Sequence, residues 1–307
     1  MVLNYELLHS MCKIKAPSGN EVAMTDFLLQ YIQKAQKDWK VKPEIFHGDF
    51  QDAIVLVFGK PKAAVYAHMD NIGFTVRYNN NLVKIGGPRT ENGFALVGED
   101  TEGEIQCKLK VDEEHQLSID YPREVERGTE LSFKCVWRED KDFVQSCYLD
   151  NRLGIFSALK LCETLENGAI AFTCWEEHGK GSASVCARFL FEKYNVRQAL
   201  ISDISWITEG VQHGKGAVIS LRDSGIPRRS YVMKLVEIAR RKKIPFQLEV
   251  EGAGGSDGIE IQHTPYPIDW CFVGAAEDFV HSPDEKVHKA DVLSMIQLYQ
   301  AFMEELN

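Results

Sequence analysis

The chain of 307 residues has no paired-cysteine motif, no long basic run and no apolar stretch long enough to cross a bilayer. Its eight cysteines are scattered without a C-x-x-C spacing, and several sit among apolar neighbours, as Cys174 does in AFTCW. That is the pattern of buried free thiols rather than of a disulfide framework. Lys and Arg total 35 against 45 acids, a net charge of -10, which argues against nucleic acid or an anionic membrane as partner. The opening MVLNYELLHSMCKIKAPSG lacks the basic start and apolar core of a secretory signal. A cytoplasmic protein is expected. No internal repeat or low-complexity tract appears. The remainder is ordinary, with 44% hydrophobic and 26% charged residues, as in soluble globular chains. The length suits one large domain, or one domain with an insertion.

Ser18-Gly19-Asn20-Glu21 reads as a capping box opening a helix, with Val22, Leu28, Tyr31, Ile32 and Ala35 at helical spacing. Apolar runs over 53–58 and 63–67 predict strands, the second delivering His68 at its end. From Asp150 onward, strand and helix patterns alternate. A helix opens at Asp150, and 169–175 is the continuous apolar run of a strand covered on both faces. Helices over 185–194, 231–241 and 292–303 and strands over 199–201 and 268–273 complete the pattern. An α/β fold is predicted, a mixed, largely parallel sheet flanked by helices. Between Asn71 and Cys147 the texture changes to short alternating stretches at 94–97, 105–111 and 131–137, separated by turn residues. A small β domain over 71–147 is therefore expected to interrupt a catalytic domain formed by 1–70 and 148–307.

Five metal-binding side chains stand out: His68 in AVYAHMD, Asp150 in YLDNR, Glu177 in TCWEEHG, Asp203 in ALISDIS and His281 in DFVHSPDE. Ligands of open α/β sheets gather beyond the carboxyl ends of the strands. His68, Glu176, Glu177 and Asp203 fall at such ends, Asp150 begins a helix and His281 follows a strand, so all could converge on one edge. Singly, each acid could be a helix cap or solvated loop residue; the repetition at one edge is the signal. Two His and three carboxylates can hold two divalent cations if one carboxylate bridges. Hard carboxylates with imidazole suit Zn, Co or Mn. A paired site polarises a carbonyl and lowers the pKa of a bridging water, and Glu176 could take the proton of that water and pass it to a departing amine. Asp70, two residues after His68, is placed to orient its imidazole. Gly252 to Gly255 lacks the Lys-Ser/Thr of a phosphate loop and reads as a tight turn near the site. Arg222 in SLRDSG could reach a substrate pocket.

The ordered motifs APSGNE (16–21), AHMDNIGF (67–74), DNR (150–152), EEHG (176–179), SDIS (202–205), GGSD (254–257) and VHSPDE (280–285) cover nearly the whole chain. With them the chain resembles the glutamyl-aminopeptidase and tetrahedral-aminopeptidase family of dinuclear metallopeptidases. The resemblance implies a zinc-peptidase α/β domain interrupted by a β-barrel-like domain, and one ion on His68 and Asp203 with the other on Glu177 and His281. Asp150 would bridge them, Glu176 would be the general base, and Ser256 and Asp257 would line or support the active site. It further implies removal of amino-terminal residues from short peptides with a free amino terminus, and a homo-oligomer, often a hollow dodecamer. Three positions depart from the family pattern: Asn71 stands where Glu is common, GGSD replaces GGTD, and His178 replaces Val in the EEVG pattern. The insert is also shorter than is typical, which bears on dodecamer formation. Two other functions fit the same residues: a dinuclear-metal deacylase of N-acyl amino acids or small amides, and a non-catalytic metal-binding assembly protein. Only the aminopeptidase needs a subsite for a free α-amine.

Overall fold

The long apolar runs of the sequence lie side by side at the centre of one sheet. In the computed structural model, which describes residues 3–179 and 181–307, α1 (Glu6–Cys12) and α2 (Val22–Ala35) precede β1 (Glu44–Phe58) and β2 (Ala63–His68). Six strands follow: β3 (Gly73–Val76), β4 (Leu82–Ile85), β5 (Ala95–Asp100), β6 (Gly103–Val111), β7 (Leu117–Asp120) and β8 (Glu130–Phe133). Next come β9 (Arg138–Glu139), β10 (Phe143–Ser146), α3 (Leu149–Cys162), β11 (Gly168–Thr173), α4 (Ala183–Tyr194) and β12 (Gln198–Trp206). The chain closes with β13 (Ala217–Arg222), α5 (Arg229–Lys242), β14 (Phe246–Val250), α6 (Asp257–Gln262), β15 (Asp269–Asp278), β16 (Glu285–His288) and α7 (Lys289–Leu306).

Ten strands form the main sheet, in the order β1-β11-β2-β12-β15-β16-β10-β9, with β13 leaving β15 and carrying β14. Its centre, β11-β2-β12-β15, is parallel, while β1, β13 and β16 join antiparallel. Every residue of β2 and β11 is buried, because helices flank the sheet: α3 and α7 pack on β2, while α4 and α6 pack on β11 and β2 respectively. Helix α3 is buried all round except at Lys160, as befits a helix enclosed by α1, α7 and the sheet.

The other six strands, in the order β4-β3-β8-β5-β6-β7, are antiparallel and nearly close into a barrel, with a bridge from Asn81 to Ser118 approaching closure. Strand β6 shows the alternation that a half-buried strand requires: Ile105, Cys107 and Leu109 point inward, with charged or polar residues between them. These residues join Phe74, Leu131 and Phe133 in a second core. Of the span 71–147, residues 73–133 supply the barrel strands, whereas β9 and β10 pair beside β16 in the main sheet.

The capping box expected at Ser18 does not form. Helix α2 starts at Val22 with no side-chain cap, and Ser18 donates instead to Asp70 Oδ2 at 2.6 Å. Glu21, buried, accepts the amides of Gly19 at 2.9 Å and Trp175 at 3.1 Å. Tertiary partners for both side chains displace the local cap.

Candidate metal centre

Strand register brings the candidate ligands level. Thr173 of β11 pairs with His68 at the end of β2, so the chain beyond β11 turns over His68. Trp175 makes that turn in the left-handed region (φ 63°), leading into a short turn over Glu176–His178. On the other flank β12 follows β2 only as far as Ile201 opposite Tyr66. Asp203 therefore lies within β12, not at its end, but past the last residue that β2 covers. Asp150 sits in the first turn of α3 and His281, also left-handed (φ 64°), in the loop after β15.

The five side chains converge in two groups that share one carboxylate. His68 Nε2 is 3.2 Å from Asp150 Oδ1 and 3.5 Å from Asp203 Oδ2. His281 Nε2 is 3.4 Å from Asp150 Oδ2 and 3.1 Å from Glu177 Oε2. The two oxygens of Asp150 thus face two different His–carboxylate pairs. One ligand atom each from His68, Asp150 and Glu177 lies within 4.8 Å of the others. Glu176 Oε2 stands 3.8 Å from His68 Nε2.

The electrostatics are those of crowded acids. Burial drives Glu176 well above the ordinary carboxylate range, and Asp203 and Glu177 push it further. Burial and then Asp150 raise Glu177 to about 7 and raise Asp203 as well. Burial would lift Asp150 too, but His281 and His68 outweigh it and hold Asp150 below its usual value. Burial lowers His281, yet Glu177 and Asp150 overcome that effect and bring it to about 12. Buried like charges at this spacing are relieved by protonation or by bound cations. Despite the close contacts, Asp150 Oδ1 and Glu177 Oε1 are buried without a hydrogen-bond partner. Two imidazoles with four carboxylates, oxygen lone pairs unspent, fit divalent cations.

Surrounding groups fix this arrangement. Asp70 lies 3.4 Å from His68 Nδ1 and accepts the amides of Glu176 and Glu177 on separate oxygens, both at 3.1 Å. One carboxylate therefore ties the imidazole to the acid pair. Ser256 donates to Asp203 Oδ2 at 2.7 Å, and Asp257 accepts from Thr173 at 2.5 Å. His281 meets the Gly87 carbonyl through Nδ1 at 3.1 Å, a contact that turns Nε2 towards Asp150 and Glu177. His178 is exposed and accepts the Gly86 amide at 3.0 Å. Asn71 touches none of the ligands: fully buried, it accepts from Ala16 N at 3.0 Å and from buried Arg152 Nη2 at 2.8 Å.

A cavity of about 330 Å³ opens on the cluster, lined by Asp150, Glu176, Glu177, Asp203 and His281. Ser256 and Asp257 line an adjoining cavity of about 810 Å³ that also reaches Glu176. Arg222, at the end of β13, is not brought to either wall; its Nε donates to the Asp223 carbonyl at 3.3 Å. Two acids escaped the sequence reading. Glu285 accepts the amides of Asp150 and His281, and Glu277 is buried with neither oxygen hydrogen-bonded. Glu277 stands near the end of the apolar strand β15, the same signal that marked Glu176, whereas Glu285 opens the mixed strand β16.

The model of the M42 glutamyl aminopeptidase family matches residues 102–298. Among solved structures, aminopeptidase APDkam598 from the archaeon Desulfurococcus kamchatkensis superposes with a TM-score of 0.85 at 23% identity, over 98% of this chain and 94% of that one. The TET1 peptidase of Pyrococcus horikoshii gives 0.80 at 22% identity, over 97% and 98%. The FrvX protein of Escherichia coli (strain K12) is 25% identical across 99% of this chain and 96% of its own length.

Proposed function

Because the chain belongs to the M42 glutamyl aminopeptidase family, we propose a residue-by-residue account of how it works. It is an aminopeptidase, a metal-dependent exopeptidase. His68 and Asp203 would hold one divalent ion, Glu177 and His281 a second, and Asp150 both. The single observation that carries this assignment is the placing of the two Asp150 oxygens against separate His–carboxylate pairs. Two divalent ions, zinc foremost and cobalt or manganese as alternatives, would supply polarisation of the scissile carbonyl and a water acidified towards neutrality.

The chain's own residues do the rest. Glu176 lies beside the ligands without being needed as one, so its carboxylate is free to accept a proton from the attacking water. As the water oxygen bonds to the carbonyl carbon and the C–N bond breaks, Glu176 returns that proton to the departing amine nitrogen. Asp70 keeps Glu176 and Glu177 at fixed positions through their amides and holds the His68 ring. The substrates are short peptides with a free amino terminus.

The P. horikoshii TET1 peptidase can assemble into a tetrahedron or a large octahedral shell, and this chain is proposed to form a homo-oligomer through its inserted barrel. All eight cysteines are unpaired, which fits a reducing, cytoplasmic compartment. Among the described residues no helix is long and apolar enough to cross a membrane.

The test is hydrolysis of unblocked aminoacyl-anilides and their N-acetylated counterparts by metal-stripped protein, with and without added Zn, Co or Mn. Metal-dependent release from the unblocked set alone is expected. Release from the acetylated set alone would make the protein a deacylase.

A further inference from the structure

We propose that Asp223, Glu249 and Glu251 bind the cationic side chain of the substrate's amino-terminal residue, so that this enzyme removes Lys and Arg in preference to apolar or acidic residues. The proposal rests on the aminopeptidase reading above. The three acids line the same cavity as the metal-facing cluster. They reach it from two neighbouring parallel strands, Asp223 just beyond β13 and Glu249 and Glu251 at the end of β14.

Their environment points to a cation from outside the chain. Asp223 is only 6% exposed; among the described residues only backbone amides reach its carboxylate, that of Gly225 at 2.6 Å. Glu249, 7% exposed, is held by the Ser205 hydroxyl. Glu251 is half-buried. Among the described residues, none of the three forms an ion pair and no Lys or Arg lines the cavity. Arg222, whose charge partly offsets the lift of Asp223, lies off the cavity wall. Buried acids gathered this way raise one another: burial and then Glu249 lift Asp223 to about 6, and Glu251 adds to the lift of Glu249. An ammonium or guanidinium would relieve that repulsion through charge-assisted hydrogen bonds, whereas an acidic side chain would aggravate it.

An aromatic wall adds to the case. Trp206, at the end of β12, is 43% exposed and lines this cavity beside the Gly254 turn. A large indole left open in an acid-lined cavity offers its face to a cation or to the methylene stem that carries one. The substrate α-amine needs one anionic partner; three further acids exceed that need.

The test compares kcat/KM of the zinc-loaded enzyme on Lys-, Arg-, Leu- and Glu-p-nitroanilides. Lys and Arg are expected to exceed Leu by about 10- to 100-fold, the size of one or two charge-assisted contacts, with Glu poorest. Glu251→Gln and Asp223→Asn should lower the Lys and Arg values, mainly through KM, and leave Leu within about threefold. Leu or Glu turned over as well as Lys would overturn the subsite alone. Equal losses on Leu and Lys in the variants would assign these acids to the α-amine and also overturn it. No release from any of the four would sink the aminopeptidase reading and the subsite together. A readout without turnover is calorimetric binding of lysinol against norleucinol, which differ in the terminal ammonium. Tighter lysinol binding, weakened in Glu251→Gln, is expected, and equal affinities would refute the proposal.

Discussion

Glu285 accepts the backbone amide of Asp150 at 3.1 Å, across 135 residues of sequence. Its other oxygen accepts the amide of His281 at 3.0 Å. A single buried carboxylate thus sets the positions of Asp150, the proposed shared ligand, and of one imidazole. In Glu285→Gln one of those oxygens becomes an amide nitrogen, which cannot accept. Divalent-ion affinity should fall by about 10- to 100-fold, the usual cost of losing a supporting group, while the circular dichroism spectrum stays unchanged. Titration with zinc in the calorimeter measures it; wild-type affinity would show that the two amides need no such anchor.

Glu176→Gln separates binding of metal from turnover. The amide cannot take the proton of the attacking water, so kcat should drop by about 10²- to 10⁴-fold. Metal content by atomic emission should stay that of the wild type, since Glu176 is not one of the five assigned ligands. Retained turnover would move the proton-transfer role elsewhere.

Gly86 follows β4 in the left-handed region at φ +67°, and a Cβ there would come within 2.8 Å of Ile72 Cγ2 and 2.9 Å of the Glu177 carbonyl oxygen. Gly86→Ala should therefore cost about 2 kcal/mol of stability from overpacking and backbone strain. It should weaken metal binding as well, because the displaced backbone carries Glu177. Chemical denaturation gives the first quantity and zinc titration the second; an unaltered zinc affinity would uncouple the barrel from the centre.

Burial and the neighbouring Glu249 raise Asp223 to about 6, so it is ionised above that pH and neutral below. The ratio of Lys to Leu kcat/KM should fall as pH drops through about 6, and the fall should vanish in Asp223→Asn. Linkage has the opposite sense for the fold. The native state holds this proton more tightly than the unfolded chain, so Asp223 contributes to stability at low pH, and that contribution is lost as pH rises through about 6. A pH-independent Lys to Leu ratio in the wild type would count against the role of Asp223.

Asn71→Ala would leave Ala16 N and the buried Arg152 guanidinium each short of an acceptor. A loss of about 3 kcal/mol in urea unfolding is expected, since a buried charged donor is expensive to strand. Little change is expected in zinc affinity per folded molecule. A large loss of affinity would instead tie Asn71 to the ligands.

The candidate ligands were readable as a group because His68 closes β2 and Glu176 and Glu177 follow β11, although Asp203 lies within β12, Asp150 opens α3 and His281 sits in a loop. The central strands were readable because, buried on both faces, they are apolar without interruption. Elsewhere the local signal was too short or was overruled. Strands β9 and β10 are two and four residues long and take their place from β16, a partner far along the chain. Ser18 and Glu21 carried a sound capping signature, yet Asp70 and the amides of Gly19 and Trp175 claimed them. Strands β13 and β14 are short, and β14 exposes the apolar Leu248 and Val250 while burying Glu249, the reverse of the usual pattern. The acids at their ends, Asp223, Glu249 and Glu251, were therefore invisible as a group until folding set the two strands side by side.

The corner formed by Gly86 and Gly87 links the barrel to His178 and His281, while β3 begins only five residues after His68. The barrel therefore cannot be traded between relatives as a cassette. A graft that altered this corner would detune the hydrolytic centre even with all five proposed ligands untouched, and a contact between subunits that pressed on β4 would be felt at Glu177 and His281 before any substrate arrived.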